Sequence, residues 1–119
     1  MKQALLLAAV ALLLAPPVSL AQQSSVQARD CKIEEVAVLE NRLHVKCAAI
    51  PAQAYTQDIP YYAMALGRDS RHAALTLDLL LAAKAGGRNL RIWFDMSDYA
   101  SVPGCRGSDC RRLHGAAMR

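Results

Sequence analysis

The sequence predicts one small α+β domain, in which five short strands and one helix form a twisted antiparallel barrel or sheet. Three observations support this prediction. The chain has 119 residues, which suits a single domain. Several short segments alternate apolar and polar residues with period two, as half-buried strands do. One longer segment, residues 71–85, is rich in Ala and Leu, which favour helix. The expected order is strand, strand, strand, helix, strand, strand.

Residues 1–21 have the parts of an export signal. Lys2 precedes an uninterrupted apolar run over residues 4–15, and the small residues Ser19 and Ala21 stand three and one positions before the expected cleavage site. The run is too short for a membrane-spanning helix, which needs about 20 residues. We therefore expect a cleaved signal peptide, no membrane span, and a mature protein in the periplasm or secreted.

The mature chain begins with a polar, aperiodic segment, residues 22–30, which predicts a flexible leader. The single folded domain is then expected at residues 31–119. It opens with a β-hairpin, because an apolar run is followed by Asn41, a residue suited to tight turns, and then by strict alternation. The hairpin strands are predicted near residues 32–39 and 42–50.

Three more strands are predicted further along the chain. Residues 51–60 contain two prolines and indicate a loop, and the apolar residues 61–66 after it indicate the third strand. Residues 88–96 alternate clearly, and residues 110–118 alternate weakly. The inward set of the fourth strand is Leu90, Ile92 and Phe94.

The helix at residues 71–85 has start and stop signals at both ends. Asp69 or Ser70 can cap its first turn, and Gly86-Gly87 can end it. Its leucines do not fall on one narrow stripe, so more than one side needs cover. Two arrangements remain open: the helix lies in a groove of its own sheet, or it also packs on a second copy and forms a homo-oligomer.

Four cysteines remain after the signal, an even number that is typical of disulfides in a small exported domain. They allow three pairings. The short loop between Cys105 and Cys110 contains Gly and Asp and brings its ends together, which favours a Cys105–Cys110 bridge. Cys31 and Cys47 then pair across the hairpin. The spacing does not suit a zinc site, and we expect no metal or other cofactor.

Composition and motifs favour binding over catalysis. The 14 basic and 10 acidic residues are interleaved along the chain, which argues against nucleic acid as a partner. No catalytic motif is present, so no catalytic residue is assigned. Trp93 alternates with the inward residues of its strand and therefore points outward beside Arg91. Two roles remain open: the pair could contact protein or glycan, or the ring could cover the second face of the sheet or be covered by a loop such as residues 51–60. The alternative is a small secreted hydrolase or hydrolase inhibitor that uses His44 or His114.

Residues 73–94, with the helix, the glycine stop and the next strand, resemble the B subunits of subtilase-cytotoxin-like and typhoid-toxin-like pentameric toxins. The cysteine loop at residues 105–110 is similar to the disulfide loop of those chains, although shorter. The resemblance implies an exported OB-like five-stranded barrel that assembles through its helix. No sugar-binding serine pocket is matched, and an exported family that shares the barrel without the toxin role fits equally well.

Overall fold

Six strands and one helix make up the part of the chain that the structure, a computed structural model, describes: residues 25–49, 59–67 and 70–119. The expected signal peptide and most of the loop at residues 51–60 lie outside these residues. The elements are β1 (Val26–Cys31), β2 (Ile33–Val38), β3 (Arg42–Cys47), β4 (Tyr61–Ala65), α1 (Ser70–Ala85), β5 (Leu90–Asp95) and β6 (Cys110–Met118). The α+β class and the single helix of the described part agree with the sequence prediction.

All six strands form one sheet, in the order β1-β5-β6-β4-β3-β2. Neighbouring strands are antiparallel, except that β4 and β6 are parallel. The sheet is open, with β1 and β2 at its edges, so the expected barrel closure is not observed. These two edge strands are consecutive in the chain, and only Lys32 stands between them.

The described part of the chain has six strands where five were predicted, because the first strand was not recognised in the sequence. All of β1 except Cys31 lies in residues 22–30, which were expected to form a flexible leader. Its inward positions include Gln27 and Arg29, so the apolar alternation that marks the other strands is missing. Arg29 is nevertheless only 5% exposed, because its guanidinium finds hydrogen-bond acceptors inside the domain.

The predicted hairpin is confirmed as β2 and β3. A short turn through Glu40-Asn41 joins the strands, and the Leu39 amide donates to the Arg42 carbonyl at 2.7 Å. The alternating apolar residues within β3, Leu43, Val45 and Cys47, are at most 2% exposed. The predicted strands at residues 61–66, 88–96 and 110–118 correspond to β4, β5 and β6.

The helix begins and ends close to the predicted residues. At its C-terminus the Arg88 amide donates to the Ala83 carbonyl at 2.9 Å, and the Gly87 amide donates to the Lys84 carbonyl at 3.3 Å. Gly87 has φ of 64°, the left-handed conformation that this cap requires. Asp69, one of the two expected caps, lies outside the described residues. The buried residues of α1 are Ala73, Thr76, Leu80 and Ala83, and the partly buried Leu77 and Leu79 also pack against the core.

The hydrophobic core lies between α1 and one face of the sheet. Tyr62 and Phe94 are its largest side chains, both 0% exposed, with ring centroids 4.7 Å apart. The Cys31–Cys47 disulfide lies in this core and joins β1 to β3. The second disulfide, Cys105–Cys110, ties the loop after β5 to the start of β6.

The other face of the sheet is partly covered by the loop between β5 and β6, residues 96–109. Val102 is 2% exposed and packs on Ala63 of β4 and on Cys110, which forms a second, smaller apolar cluster. The loop therefore separates the outer face into two regions. One region is formed by β1, β5 and β6, and the other by β3 and β4.

Candidate functional site

Trp93 and Arg91 lie on the outer face of β5, because the alternate residues Leu90, Ile92 and Phe94 are buried in the core. The Arg91 guanidinium carbon is 5.8 Å from the centroid of the Trp93 ring, which is within the range of a cation–π interaction. Both side chains are half-buried. The structure therefore brings together the two residues that the sequence selected, on one side of one strand.

The residues beside Trp93 are small. Its cross-strand partners are Ala28 on β1 and Gly115 on β6, and the partner of Arg91 on β6 is Ala117. A Cβ added at Gly115 would meet no atom within 4 Å, so the surface next to the indole is open. We call the outer face formed by Ala28, Arg91, Trp93, Gly115 and Ala117 the tryptophan platform.

A second surface lies at the other end of the outer face, where β3, the start of β4 and the cysteine loop meet. Its cavity has a volume of about 320 Å³. We call it the arginine groove, and we define it by the described residues that line it: Arg42, His44, Tyr61, Gly104, Arg106, Asp109 and Cys110. Three separate segments contribute, so the groove exists only in the folded chain.

The polar side chains of β3 form an ordered array beside this groove. His44 Nε2 lies 2.8 Å from Glu35 Oε1, and the hydrogen bond from His44 holds the pKa of the Glu35 carboxyl below its usual value. The His44 ring also contacts the edge of Tyr61, with centroids 5.2 Å apart. Lys46 Nζ lies 5.8 Å from the centroid of the same Tyr61 ring. Tyr61 is thus held between two basic side chains.

The remaining histidines lie elsewhere. His72 Nε2 donates to the His114 carbonyl at 2.7 Å, and His114 Nε2 is 4.0 Å from Asp95 Oδ2. Both histidines line a cavity of about 170 Å³ that also contains Ser101. The Ser101 hydroxyl donates to Asp98 at 2.6 Å, so it is committed to a carboxylate and not to a histidine. The described side chains here do not form a serine nucleophile with its base.

The sequence predicted that Arg91 and Trp93 share the outward face of β5, but it did not predict the groove. The platform could be found because Trp93 alternates with buried residues of its own strand. A comparable signal was present for β3, where Arg42, His44 and Lys46 alternate with inward apolar residues. Tyr61 lies beside these residues only because β4 pairs with β3, and Arg106 lies beside them only because the cysteine loop folds next to β3. No local sequence pattern reveals either neighbour.

The described residues contain no group of three or more His, Cys, Asp or Glu side chains placed to hold a metal ion. In the same part of the chain, no helix is long and apolar enough to cross a membrane. Comparison with protein-family models, curated proteins and solved structures finds no match to this chain. The geometry of the two outer surfaces therefore carries the functional inference.

Proposed function

We propose that this protein is a small exported binding module, not an enzyme, and that it contacts a glycan or a protein through the tryptophan platform. The observation that carries the proposal is the setting of Trp93. An indole stands on an open sheet face among Ala28, Gly115 and Ala117, with the Arg91 guanidinium against its ring. Trp and Arg are among the side chains most enriched where binding energy concentrates.

The small residues beside Trp93 leave part of its indole accessible to a ligand, while the rest of the ring stays packed on the sheet. Gly115 leaves open space beside Trp93 on β6, into which a sugar ring or an apolar side chain of a partner can fit, and the cross-strand neighbour on β1 is the small residue Ala28. The Arg91 guanidinium lies over the ring at cation–π distance and adds a donor for a carbonyl or hydroxyl of the ligand. Because the indole is already half-buried, little side-chain entropy is lost on binding.

The proposal includes an OB-like architecture for the domain, as in the toxin B subunits that the sequence resembles. β1 and β2 are separated by Lys32 alone, and together they can be regarded as one bent strand that contributes to both edges of the sheet. Counted in this way, the domain has five strands with the helix between the third and the fourth. The parallel pairing of β4 with β6 is compatible with this arrangement.

The proposed location is the periplasm or the cell exterior. The two disulfides fit an oxidising compartment, since such bonds are rare where thiols are kept reduced. The expected signal peptide supports the same location from the sequence side. Within the described residues every cysteine is bridged.

The experiment is a glycan array and a peptide array probed with the oxidised protein and with Trp93→Ala. We expect wild type to bind a defined subset of ligands and Trp93→Ala to lose most of that signal. Val38→Ala, which shortens an exposed side chain on β2 away from the platform and the helix, is the control and should bind as wild type does. Trp93→Ala should reduce the free energy of unfolding by only about 1 kcal/mol, as expected for a residue outside the core. Equal binding by Trp93→Ala and wild type would refute the proposal that the tryptophan platform binds the ligand.

The hydrolase alternative rests on one observation, the 2.8 Å contact between His44 and Glu35 beside the arginine groove. A carboxylate can orient a histidine as a general base. The described groove lining contains no Ser or Thr, however, and its Cys110 is bridged to Cys105. Hydrolysis of ester or glycoside substrates that is abolished in His44→Gln would support this alternative over the binding module.

A further inference from the structure

A small concavity lies where the C-terminus of α1 meets the junction of β1 and β2. Its volume is about 60 Å³, which is room for about four to six water-sized atoms, as in one phosphate group. We call this surface the basic end, and we define it by the described residues that line it: Lys32, Ile33, Ala83, Lys84, Gly87 and Arg88. Three of these residues are basic and none is acidic.

Acidic side chains do not neutralise the basic end. Within the described residues, none of its three cations lies within 4.0 Å of an Asp or Glu carboxylate. Two acids lie on the adjoining strands, and each has a different basic neighbour. Glu34 Oε2 is 3.6 Å from Lys46 Nζ, and Asp30 stands opposite Arg91 in the register of β1 and β5. The basic end therefore keeps an excess of positive charge.

Two of the cations are held in place by main-chain oxygens. Lys84 Nζ donates to the Glu34 carbonyl at 3.0 Å, and Arg88 Nη2 donates to the Arg119 carbonyl at 2.9 Å. Each bond uses one N–H of its group and leaves the others for a ligand. Arg119 also brings a basic side chain to this end of the domain, so it does not reduce the positive charge there.

The helix end does not cancel this charge either. The C-terminus of an α-helix carries about half a negative charge, which is small against three full positive charges. The carbonyls of Ala83 and Lys84 already accept from the Arg88 amide at 2.9 Å and the Gly87 amide at 3.3 Å. Basic side chains are therefore not needed to cap the helix, and they remain available to an anion.

From this arrangement we infer that the basic end binds the phosphate groups of an anionic phospholipid, so that the domain docks there on the surface of a bilayer. Ammonium and guanidinium groups form charge-assisted hydrogen bonds with phosphate oxygens. A bilayer fits the site better than a free phosphate ion, because all three cations are exposed and one exposed ion pair is weak in salt. A bilayer presents many phosphates side by side, and each basic residue near it adds to the binding.

The basic end suits a nucleic acid, the other partner rich in phosphate, less well. Among the described residues that line it there is no aromatic side chain on which a base could stack. Its cations also converge on one concavity at one end of the domain, whereas a nucleic-acid site has a basic stripe or face along which the strand runs.

This surface is separate from the tryptophan platform. The basic end lies at the C-terminus of α1, whereas Trp93 stands on the outer face of β5. The inference goes beyond the proposed function and does not depend on it. Trp93→Ala should leave vesicle binding unchanged, so the two proposals fail separately.

The test is cosedimentation of the oxidised mature protein with vesicles of two compositions: phosphatidylcholine alone, and phosphatidylcholine with an equal amount of phosphatidylglycerol. We expect binding only to the second, and its loss when the ionic strength is raised from about 0.1 M to about 1 M. Lys84→Gln and Arg88→Gln should each weaken the partition coefficient about fivefold, as expected for one basic residue at an anionic bilayer. Lys84→Arg keeps the charge and should bind as wild type does.

Arg71→Gln is the matched control, because it removes the same charge from an exposed position in the first turn of α1. Arg71 is about 20 Å of helix away from Lys84, and the Debye length at about 0.1 M is only about 10 Å. Its partition coefficient should therefore stay within about twofold of wild type. Equal losses in Arg71→Gln and Arg88→Gln would overturn the proposal in favour of general attraction between a basic protein and an anionic surface.

Two competitors test the choice of partner. Inorganic phosphate at the concentration of the lipid phosphate should leave the protein on the vesicles, and its displacing the protein would overturn the bilayer part of the inference. Single-stranded oligothymidylate at the same phosphate concentration should also fail to displace it, and displacement would favour a nucleic acid instead. Absence of binding to the phosphatidylglycerol vesicles would overturn the whole.

Discussion

Arg29 is a charged residue on which the first strand depends. Its Nη1 donates to the Tyr62 hydroxyl at 3.0 Å, its Nη2 to the Ala48 carbonyl at 3.1 Å, and its Nε to the Asp30 carbonyl at 3.1 Å. A guanidinium in a residue that is 5% exposed is stable there only because these acceptors replace water. Arg29 thereby links β1 to β4 and to the end of β3.

Replacing Arg29 with Met should therefore destabilise the protein by about 2–3 kcal/mol, because the Tyr62 hydroxyl and the Ala48 carbonyl lose a charged donor inside the domain. Urea unfolding followed by circular dichroism measures this loss. Methionine keeps most of the apolar length of the arginine side chain, so the change in stability reports mainly on the lost hydrogen bonds.

Lys32→Met is the matched control for this substitution. Lys32 lies between β1 and β2 and is exposed, so the same replacement removes a positive charge near the same sheet edge without breaking a buried hydrogen bond. We expect it to change the free energy of unfolding by less than about 0.5 kcal/mol. If Arg29→Met and Lys32→Met had the same stability, the buried hydrogen bonds of Arg29 would not support β1.

At the level of elements, the sequence predicted those parts of the fold that have a local pattern. Alternation identified β3 and β5, and the paired glycines identified the end of α1. β1 could not be found in this way. In the sequence alone, Arg29 indicates a surface position, and only the folded structure shows that its guanidinium is buried and donates to the Tyr62 hydroxyl. The platform was predictable from one strand, whereas the groove needed the pairing of three segments.

The helix carries the expectation of self-assembly, which stays a prediction. Its sheet-facing side is buried, but Leu75 and Leu81 are 59% and 49% exposed. Exposed leucines on a helix that is mostly Ala and Leu favour cover by a second copy, as the resemblance to toxin B subunits implies. This expectation concerns assembly and is separate from both ligand surfaces.

We expect light scattering to give a mass above that of the monomer for the wild type, and a monomer mass for the double variant Leu75→Glu with Leu81→Glu, because two charges would have to be desolvated at the contact. Val38→Glu is the control, since Val38 is 55% exposed on β2 and not on the helix. It should keep the wild-type mass. A wild type that stays monomeric at high concentration would contradict the expectation.

For the whole molecule, two carboxylates at the end of β5 and in the loop after it link stability to pH. Hydrogen bonding from Ser25, together with Ser97, holds the pKa of Asp95 below its usual value. Burial works against ionisation of Asp98, but hydrogen bonds from Ser101 and the ion pair with Arg112 outweigh it, so the pKa of Asp98 is also lowered. Both groups therefore favour the folded state when they are ionised.

The sign of the pH dependence follows from these lowered pKa values. A carboxyl whose pKa is lower in the folded state stabilises the fold above its unfolded pKa of about 4, and this contribution is lost as the pH falls through the folded value. We expect the thermal midpoint to fall between about pH 5 and pH 2, and to fall less in Asp98→Asn. Asp78→Asn, at an exposed position on α1, should show the full wild-type decline. Identical pH profiles for Asp98→Asn and wild type would show that this carboxylate makes no contribution.

The sole tryptophan of the chain allows the proposed binding at the tryptophan platform to be measured directly. The emission of Trp93 is followed while a ligand identified on the arrays is titrated into the oxidised protein. A saturable change in emission, with an affinity equal to that found by calorimetry and weakened at least about tenfold in Arg91→Ala, is the predicted result. Calorimetric binding with no change in Trp93 emission would place the ligand elsewhere and contradict the claim.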